Sequence, residues 1–389
     1  MPAFPLSERI DIHCNPCTES LAIPVCARIK VRTQRGENVF AEDFDGVIDP
    51  FIGSSSVRAK KAGLTGQMNN DLDANPKRRW LASHWRCPRC GGIVRVEAEA
   101  AWCENDACRY AKSAFPVLGR QPALVDFDAS VLDESDLRST GGQSDIAHTQ
   151  GSGRQRIRRL LFGGNHVAKL NSARFLKLLK GSTTTPVLLV VGGGTKGVGA
   201  DALYNDPAVM TVSFDIYASS NTQFVADAHA IPLSAESVDG VWIQAVLEHV
   251  LTPAAVVAEI RRVLKNGGFV YADTPFMQQV HMGPWDFTRY TESGHRWLFR
   301  DFTRIDSGVV IGPGTALVWS IRYAVAAVFR SRAAGTVVGA AFFWLRFLDY
   351  ISAPRFALDA ASAVFFMGTK AQQPISPKDA IAHYQGAGR

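Results

Sequence analysis

Residues 186–200 read PVLLVVGGGTKGVGA, and this stretch decides the fold. The unbroken run Val187 to Val191 predicts a strand that is apolar on both faces. Glycines follow at once, so the backbone can turn sharply there and present free N–H groups at the next helix start. Outward from the loop the pattern continues. Residues 167–180 carry apolar positions at helical spacing and stop at Gly181. Further strands are predicted at 209–217, 223–228, 240–246 and 268–273. A helix at 253–264 starts on proline and stops at Asn266-Gly267-Gly268. Strands alternating with helices predict an α/β fold, a parallel sheet covered by helices on both faces.

Ligands of open α/β sheets bind at the strand ends. Gly192, Gly193, Gly194 and Gly197 would form the floor of such a site. Asp215, near the end of the second strand, can accept hydrogen bonds from two ribose hydroxyls. Asp227, in VADAHAIPL near the end of the third, can accept the proton of an adenine amine, with the Ala228 N–H reaching a ring nitrogen. Taken singly, the glycines fit a tight turn or a dinucleotide loop, and each aspartate fits a loop cap. Their order at successive strand ends is the signal.

The run 187–274 resembles the class I S-adenosylmethionine-dependent methyltransferases, most of all the ubiquinone-methyltransferase-like group. The matching pieces are VLLVVGGGTKG, SFDI, VADAHAIPLSAESVDGVWIQAVLEHV and EIRRVLKNGGFVYADTP. The resemblance implies a Rossmann-like seven-stranded sheet whose last strand is antiparallel, and AVFFMGTK at 363–370 suits that strand. It implies S-adenosyl-L-methionine as cofactor, and Ile216 and Gln244 join the candidate cofactor residues. One position departs from the pattern: Val190 stands where the family carries an acidic residue that orients the cofactor's amino-acid end. Lys196 lengthens the loop. A degenerate, non-catalytic domain is one alternative that this leaves open. A nucleotide-sugar or dinucleotide enzyme is another, against which the 226–268 tract argues.

Methyl transfer from a sulfonium is an in-line displacement, so alignment supplies much of the rate. A base is needed only where the acceptor holds its proton. Candidates follow the fourth and fifth strands: His249 in LEHV, then PFMQQVHMGPWDFTRYTESGHRWL at 275–298, which proline and glycine break into a loop over the cleft. That segment resembles insertions in bacterial methyltransferases encoded among glycan- and lipid-modifying enzymes. It gathers His281, Trp285, Asp286, Arg289, Tyr290 and His295, of which His281 is the candidate base ahead of Asp286. Packed aromatics shielding the cofactor are the plainer reading.

Cys87-Pro-Arg-Cys90 with Cys103 and Cys108 gives two thiolate pairs, enough for a closed tetrahedral zinc site of structural role. The module at 80–128 resembles the zinc-ribbon proteins that activate tRNA methyltransferases, whose Phe-Pro-Val is echoed at 115–117. It keeps an RNA acceptor open beside a small-molecule, glycan or lipid-linked one. Cys14, Cys17 and Cys26 lie in a segment, 1–79, with no readable period.

Hydrophobic residues make up 47% and charged ones 20%, as in a globular protein, and the net charge of +6 points only weakly to an acidic partner. The thiol pattern and the lack of a signal-like N-terminus predict a cytoplasmic setting. Residues 129–157 read as a flexible linker, 158–310 as the cofactor domain, 311–375 as apolar helices plus the last strand, and 376–389 as a tail. The apolar, arginine-studded tract 314–369 fits core or lid helices, a dimer face, or contact with the inner face of a membrane.

Overall fold

A computed structural model of the chain describes residues 75–143 and 166–388. Cys14, Cys17 and Cys26 lie outside them. A small sheet comes first, made of β1 (Val94–Val96), β2 (Ala100–Cys103), β3 (Phe115–Leu118) and β4 (Gln121–Pro122) in that order. The large sheet follows, with strands β5 (Val187–Val191), β6 (Met210–Asp215), β7 (Phe224–Val225), β8 (Val238–Gln244), β9 (Leu264–Pro275), β10 (Phe302–Ile311) and β11 (Ala363–Lys370). Its seven strands lie in the order β10-β11-β9-β8-β5-β6-β7. The five strands β5 to β9 are mutually parallel, and β11 runs antiparallel to both β9 and β10. This is the Rossmann-like seven-stranded sheet that the resemblance implies, with 363–370 as its antiparallel strand.

Every residue of β5 is buried because each face has its own helix. Leu188 and Val190 point toward helix His166–Ser182, whose Phe175, Leu176 and Leu179 recur at helical spacing. Leu189 and Val191 point the other way, into a core closed by Val256, Val257, Ile260 and Val263 of helix Pro253–Val263. Gly240 on β8 lets the first helix sit close, since a Cβ there would meet Leu179 at 2.7 Å. Helix Pro253–Val263 ends at Val263, before the Asn-Gly-Gly expected to stop it. Those residues form an irregularity inside β9 instead, where the pairing with β8 shifts register between Val238 and Gly240.

The small sheet has no separate core of its own. Trp85 and Phe115 belong to the same apolar cluster as Phe214 and Phe224 of the large sheet. The backbone continues the large sheet past β7, with Leu124 N–H donating to Val225 O at 2.9 Å and Arg86 N–H to Pro232 O at 3.0 Å. The stretch 129–143, read above as linker, is folded. Its helix Glu134–Ser139 is capped by Asp133, and Leu137 packs with Leu118, Ala123 and Val225. Turn formers mislead there because one buried leucine and one cap suffice to dock a short helix.

Between β10 and β11 the chain leaves the sheet for helices Pro313–Val328, Arg332–Ala341, Leu348–Ile351 and Pro354–Asp359. They are buried only in part: Ala316, Val318, Ala357 and Leu358 are covered. Helix Arg332–Ala341 buries only Gly335 and Gly339, where it crosses Arg322 and Ala326 of its neighbour. No single described helix is long and apolar enough to cross a membrane.

Candidate functional site

The glycine loop is knitted to the end of β6. Gly192 takes φ +75°, which only glycine adopts readily, and makes the turn out of β5. Gly193 N–H donates to Phe214 O at 2.8 Å, and Gly194 N–H to Asp215 Oδ2 at 2.8 Å. Asp215 Oδ1 accepts from Ile216 N–H at 2.8 Å. Burial nonetheless pushes the Asp215 carboxyl up to about 6, against the pull of those two N–H groups. A Cβ on Gly194 would lie 2.5 Å from the Tyr217 ring, and one on Gly197 would lie 2.1 Å from Gln244 Oε1. At either position a larger residue would displace the end of the Tyr217 or Gln244 side chain or the loop itself. Gln244, at the tip of β8, also donates from Nε2 to Val198 O at 3.3 Å, so it pins the loop from the other side.

Asp227 sits just past β7 with both oxygens engaged. Ser130 Oγ donates to Oδ2 at 2.6 Å, and His229 approaches Oδ1 through its N–H at 2.9 Å and its Nδ1 at 2.6 Å. Burial raises this carboxyl, but His229 and Ser130 outweigh it and hold it below its ordinary value. Ser130 comes from the small sheet's C-terminal extension, 97 positions away in sequence. No spacing rule points to it. The carboxylate lone pairs left over at Asp215 and Asp227, with the backbone N–H of Ala228 beside them, fit an adenosine's hydroxyls and amine in kind.

Val190, the departure from the acidic pattern, faces helix His166–Ser182. It pairs with Trp242 on β8, which pairs with Tyr271 on β9, and the last two rings stack at 3.8 Å. An aromatic row thus occupies the ground beside this position, and an aliphatic side chain packs against it where a carboxylate would be desolvated.

After β8 and β9 lies a polar cluster. Ala245 has φ +54°, strained for a residue with a Cβ, and Asp273 Oδ1 holds its N–H at 3.1 Å. Asp273 also accepts from Tyr271 OH at 3.2 Å, and burial pushes its carboxyl up to about 7. His281 Nδ1 lies 3.3 Å from Asp286 Oδ2. Asp286 accepts from the His281 N–H at 2.8 Å and from both terminal nitrogens of Arg289. Against burial, Arg289 and that N–H hold the Asp286 carboxyl far below the carboxylate range. Asp286 is thereby held ionised beside His281, bonded to its backbone N–H and not to its ring Nδ1. Burial and the nearby His249 lower the His281 ring, so it is neutral near pH 7. His249 stands edge-on to His281 with ring centres 5.0 Å apart, and its Nδ1 meets Trp285 O at 2.6 Å. His295 belongs to the core rather than to this cluster: it packs edge-on to Phe299 at 5.1 Å, and burial drives its ring down to about 3.

Glu248 escaped the sequence reading, hidden beside the more conspicuous His249. It is fully buried with its Oε1 3.7 Å from His249 Nε2, and burial pushes its carboxyl up to about 8. Acidic residues seldom sit inside without a partner, but nothing in LEHV distinguishes a buried glutamate from a solvated one.

The four cysteines converge as their spacing predicts. Cys87 Sγ lies 3.8 Å from Cys108 Sγ, Cys90 Sγ lies 3.5 Å from Cys103 Sγ, and all four sulfurs fall within 4.8 Å of one another. Sulfurs bound tetrahedrally at about 2.3 Å from one zinc stand about 3.8 Å apart, so the set fits the ion. Gly91 at φ +73° makes the knuckle turn, and a Cβ on Gly92 would crowd two of the sulfurs at 3.3 Å.

Residues 199–272 match the sequence model of a family described as a methyltransferase domain. With the sheet above, this marks a methyltransferase domain of Rossmann-like fold. No curated protein sequence matches the chain. Among solved structures, the chain is similar to phosphoethanolamine N-methyltransferase 2 of Haemonchus contortus at 18% identity, with 55% of this chain and 56% of that one covered and a TM-score of 0.37. The chain thus spans little more than half of that enzyme's length. It is similar to a structure of the Haloferax volcanii Trm112 methyltransferase activator in complex with a methyltransferase, at 18% identity, 62% and 100% coverage and a TM-score of 0.34. A third is geranyl diphosphate C-methyltransferase from Streptomyces coelicolor, at 11% identity, 52% and 76% coverage and a TM-score of 0.35. None of these likenesses bears on the acceptor.

Proposed function

We propose that this protein is an S-adenosylmethionine-dependent methyltransferase acting on an O or N atom of a small-molecule, glycan or lipid-linked acceptor, with structural zinc in its four-cysteine cluster. The observation that carries the reading is the order of strand-end groups: the glycine loop after β5, Asp215 after β6 and Asp227 after β7. The family match over 199–272 supports it. When bound, the cofactor supplies a methyl group already activated by the sulfonium charge. Asp215 and Asp227 would hold its nucleoside end. His281 would take the acceptor's proton, with the Asp286 carboxylate 3.3 Å from its Nδ1 to offset the positive charge the ring then gains. Arg289 fixes Asp286 in turn, through contacts that also clamp the carbonyls of Gln278 and Gln279. An RNA acceptor is the second reading, favoured by the small sheet joined to the β7 edge beside Asp227.

The test is transfer of labelled methyl from S-adenosylmethionine to lipid, glycan, small-molecule and RNA fractions. His281→Ala should lower kcat roughly 100-fold while cofactor affinity is kept, the size expected for a lost general base. Full activity in His281→Ala would contradict the assignment. So would turnover that requires an added divalent ion in protein already carrying its cysteine-bound zinc, since the Glu248, His249 and His281 atoms lie within 4.8 Å of one another.

A further inference from the structure

More than half of the large apolar residues exposed among the described residues fall in one excursion, 313–359, between β10 and β11. Val328, Phe329, Phe347, Tyr350, Ile351 and Phe356 are each more than three-fifths exposed. Their neighbours are basic. The segment holds five arginines and two acids. Both acids are hydrogen-bonded within the chain: half-buried Asp349 accepts from Gly314 N–H at 2.7 Å and from Thr315 Oγ1 at 2.6 Å, and exposed Asp359 accepts from Tyr384 OH at 2.9 Å and Ala387 N–H at 2.8 Å. Arg330 and Arg332 are exposed at the turn between the first two helices, and Arg355 at the start of the last. Arg332–Ala341 and Phe343–Ile351 together have the length and composition of a span but bend by 56° at their junction. Short, bent, apolar helices edged by arginine suit the plane of a bilayer interface, with the basic side chains at the headgroups.

We propose that this excursion docks the protein onto an anionic membrane surface. The occupant is argued from charge complementarity: an outward face that is aromatic and aliphatic, on a segment with five arginines against two hydrogen-bonded aspartates. The face is coupled to the candidate site. Gln279 Nε2 donates to Ser320 Oγ at 3.1 Å, and Tyr323 OH donates to Val280 O, the residue before His281. A membrane bound there lies next to the acceptor loop. On the methyltransferase reading, which this last step rests on, the acceptor is then presented from a lipid.

Vesicle binding tests the docking without turnover, so failure of the enzymatic reading leaves it untouched. The full chain is sedimented with phosphatidylcholine vesicles, and with vesicles containing about 30% phosphatidylglycerol. It should pellet with the anionic vesicles and be released by high salt. Phe329→Ser with Phe347→Ser and Ile351→Ser, and separately Arg330→Glu with Arg332→Glu, should each weaken binding at least roughly tenfold. Ile381→Ser, an exposed apolar site elsewhere, should not. A chain that stays in solution with both vesicle types overturns the proposal. So does a dimer that the apolar triple variant disperses with no vesicle binding in the parent, which assigns the face to a second copy.

Discussion

Glu248 shows what burial does to one residue in this site. Neither carboxylate oxygen accepts a hydrogen bond among the described residues, and burial raises its pKa from an ordinary value near 4.5 to about 8. In the unfolded chain the group ionises near its ordinary value. Its contribution to stability is thus fully present below about pH 4.5 and is lost as pH rises through 8, a loss on the order of several kcal/mol. Glu248→Gln removes the ionisation and keeps the shape. Thermal unfolding should show the variant about 5 °C or more above the parent at pH 8.5, and level with it at pH 5. Equal midpoints at pH 8.5 would mean the carboxylate is not desolvated as described. Residues of this kind are the hardest to read from sequence, because burial of a polar group is decided by elements far away in the chain. Asp227 makes the same point. Its strand-end position was legible, but its partner Ser130 lay in a stretch whose composition reads as linker.

At the scale of elements, periodicity and turn chemistry carried the reading well. β5 and β8 stand where near-continuous apolar runs placed them, since a strand covered on both faces leaves no room for alternation, and β11 where the resemblance implied a last strand. For the helices between β10 and β11, apolar composition left core or lid helices, a dimer face and membrane contact open, and their outward faces are exposed. Two predictions belong here. Gly194→Ala inserts a methyl 2.5 Å from the Tyr217 ring, so the ring or the loop must shift. Cofactor affinity measured by calorimetry should fall at least roughly tenfold, about 1.4 kcal/mol, and an unchanged value would mean the loop lies outside the binding site. The four-cysteine knuckle should hold about one zinc per chain by metal analysis. Cys103→Ser should release it and lower the unfolding midpoint, and metal-free protein with the parent's midpoint would contradict the fit.

Across the described residues, the small sheet and the large one share one apolar cluster. Trp85 is the joint: it is 5% exposed, meets Phe224 edge-on at 5.0 Å and bridges to Leu233. Trp85→Ala should destabilise by about 3–5 kcal/mol in urea unfolding, with one transition. Two separate transitions in the parent would show independent domains. The union also explains the placement of Ser130 on Asp227, since only a module docked on the β7 edge can deliver that hydroxyl. The central claim is that strand ends β5, β6 and β7 together form a cofactor site. Calorimetric titration of the full chain with S-adenosylmethionine, repeated with Asp215→Ala and Asp227→Ala, tests it most directly. Micromolar binding that each substitution weakens roughly tenfold or more is the predicted result. No binding by the intact chain, or binding that neither substitution alters, would contradict it.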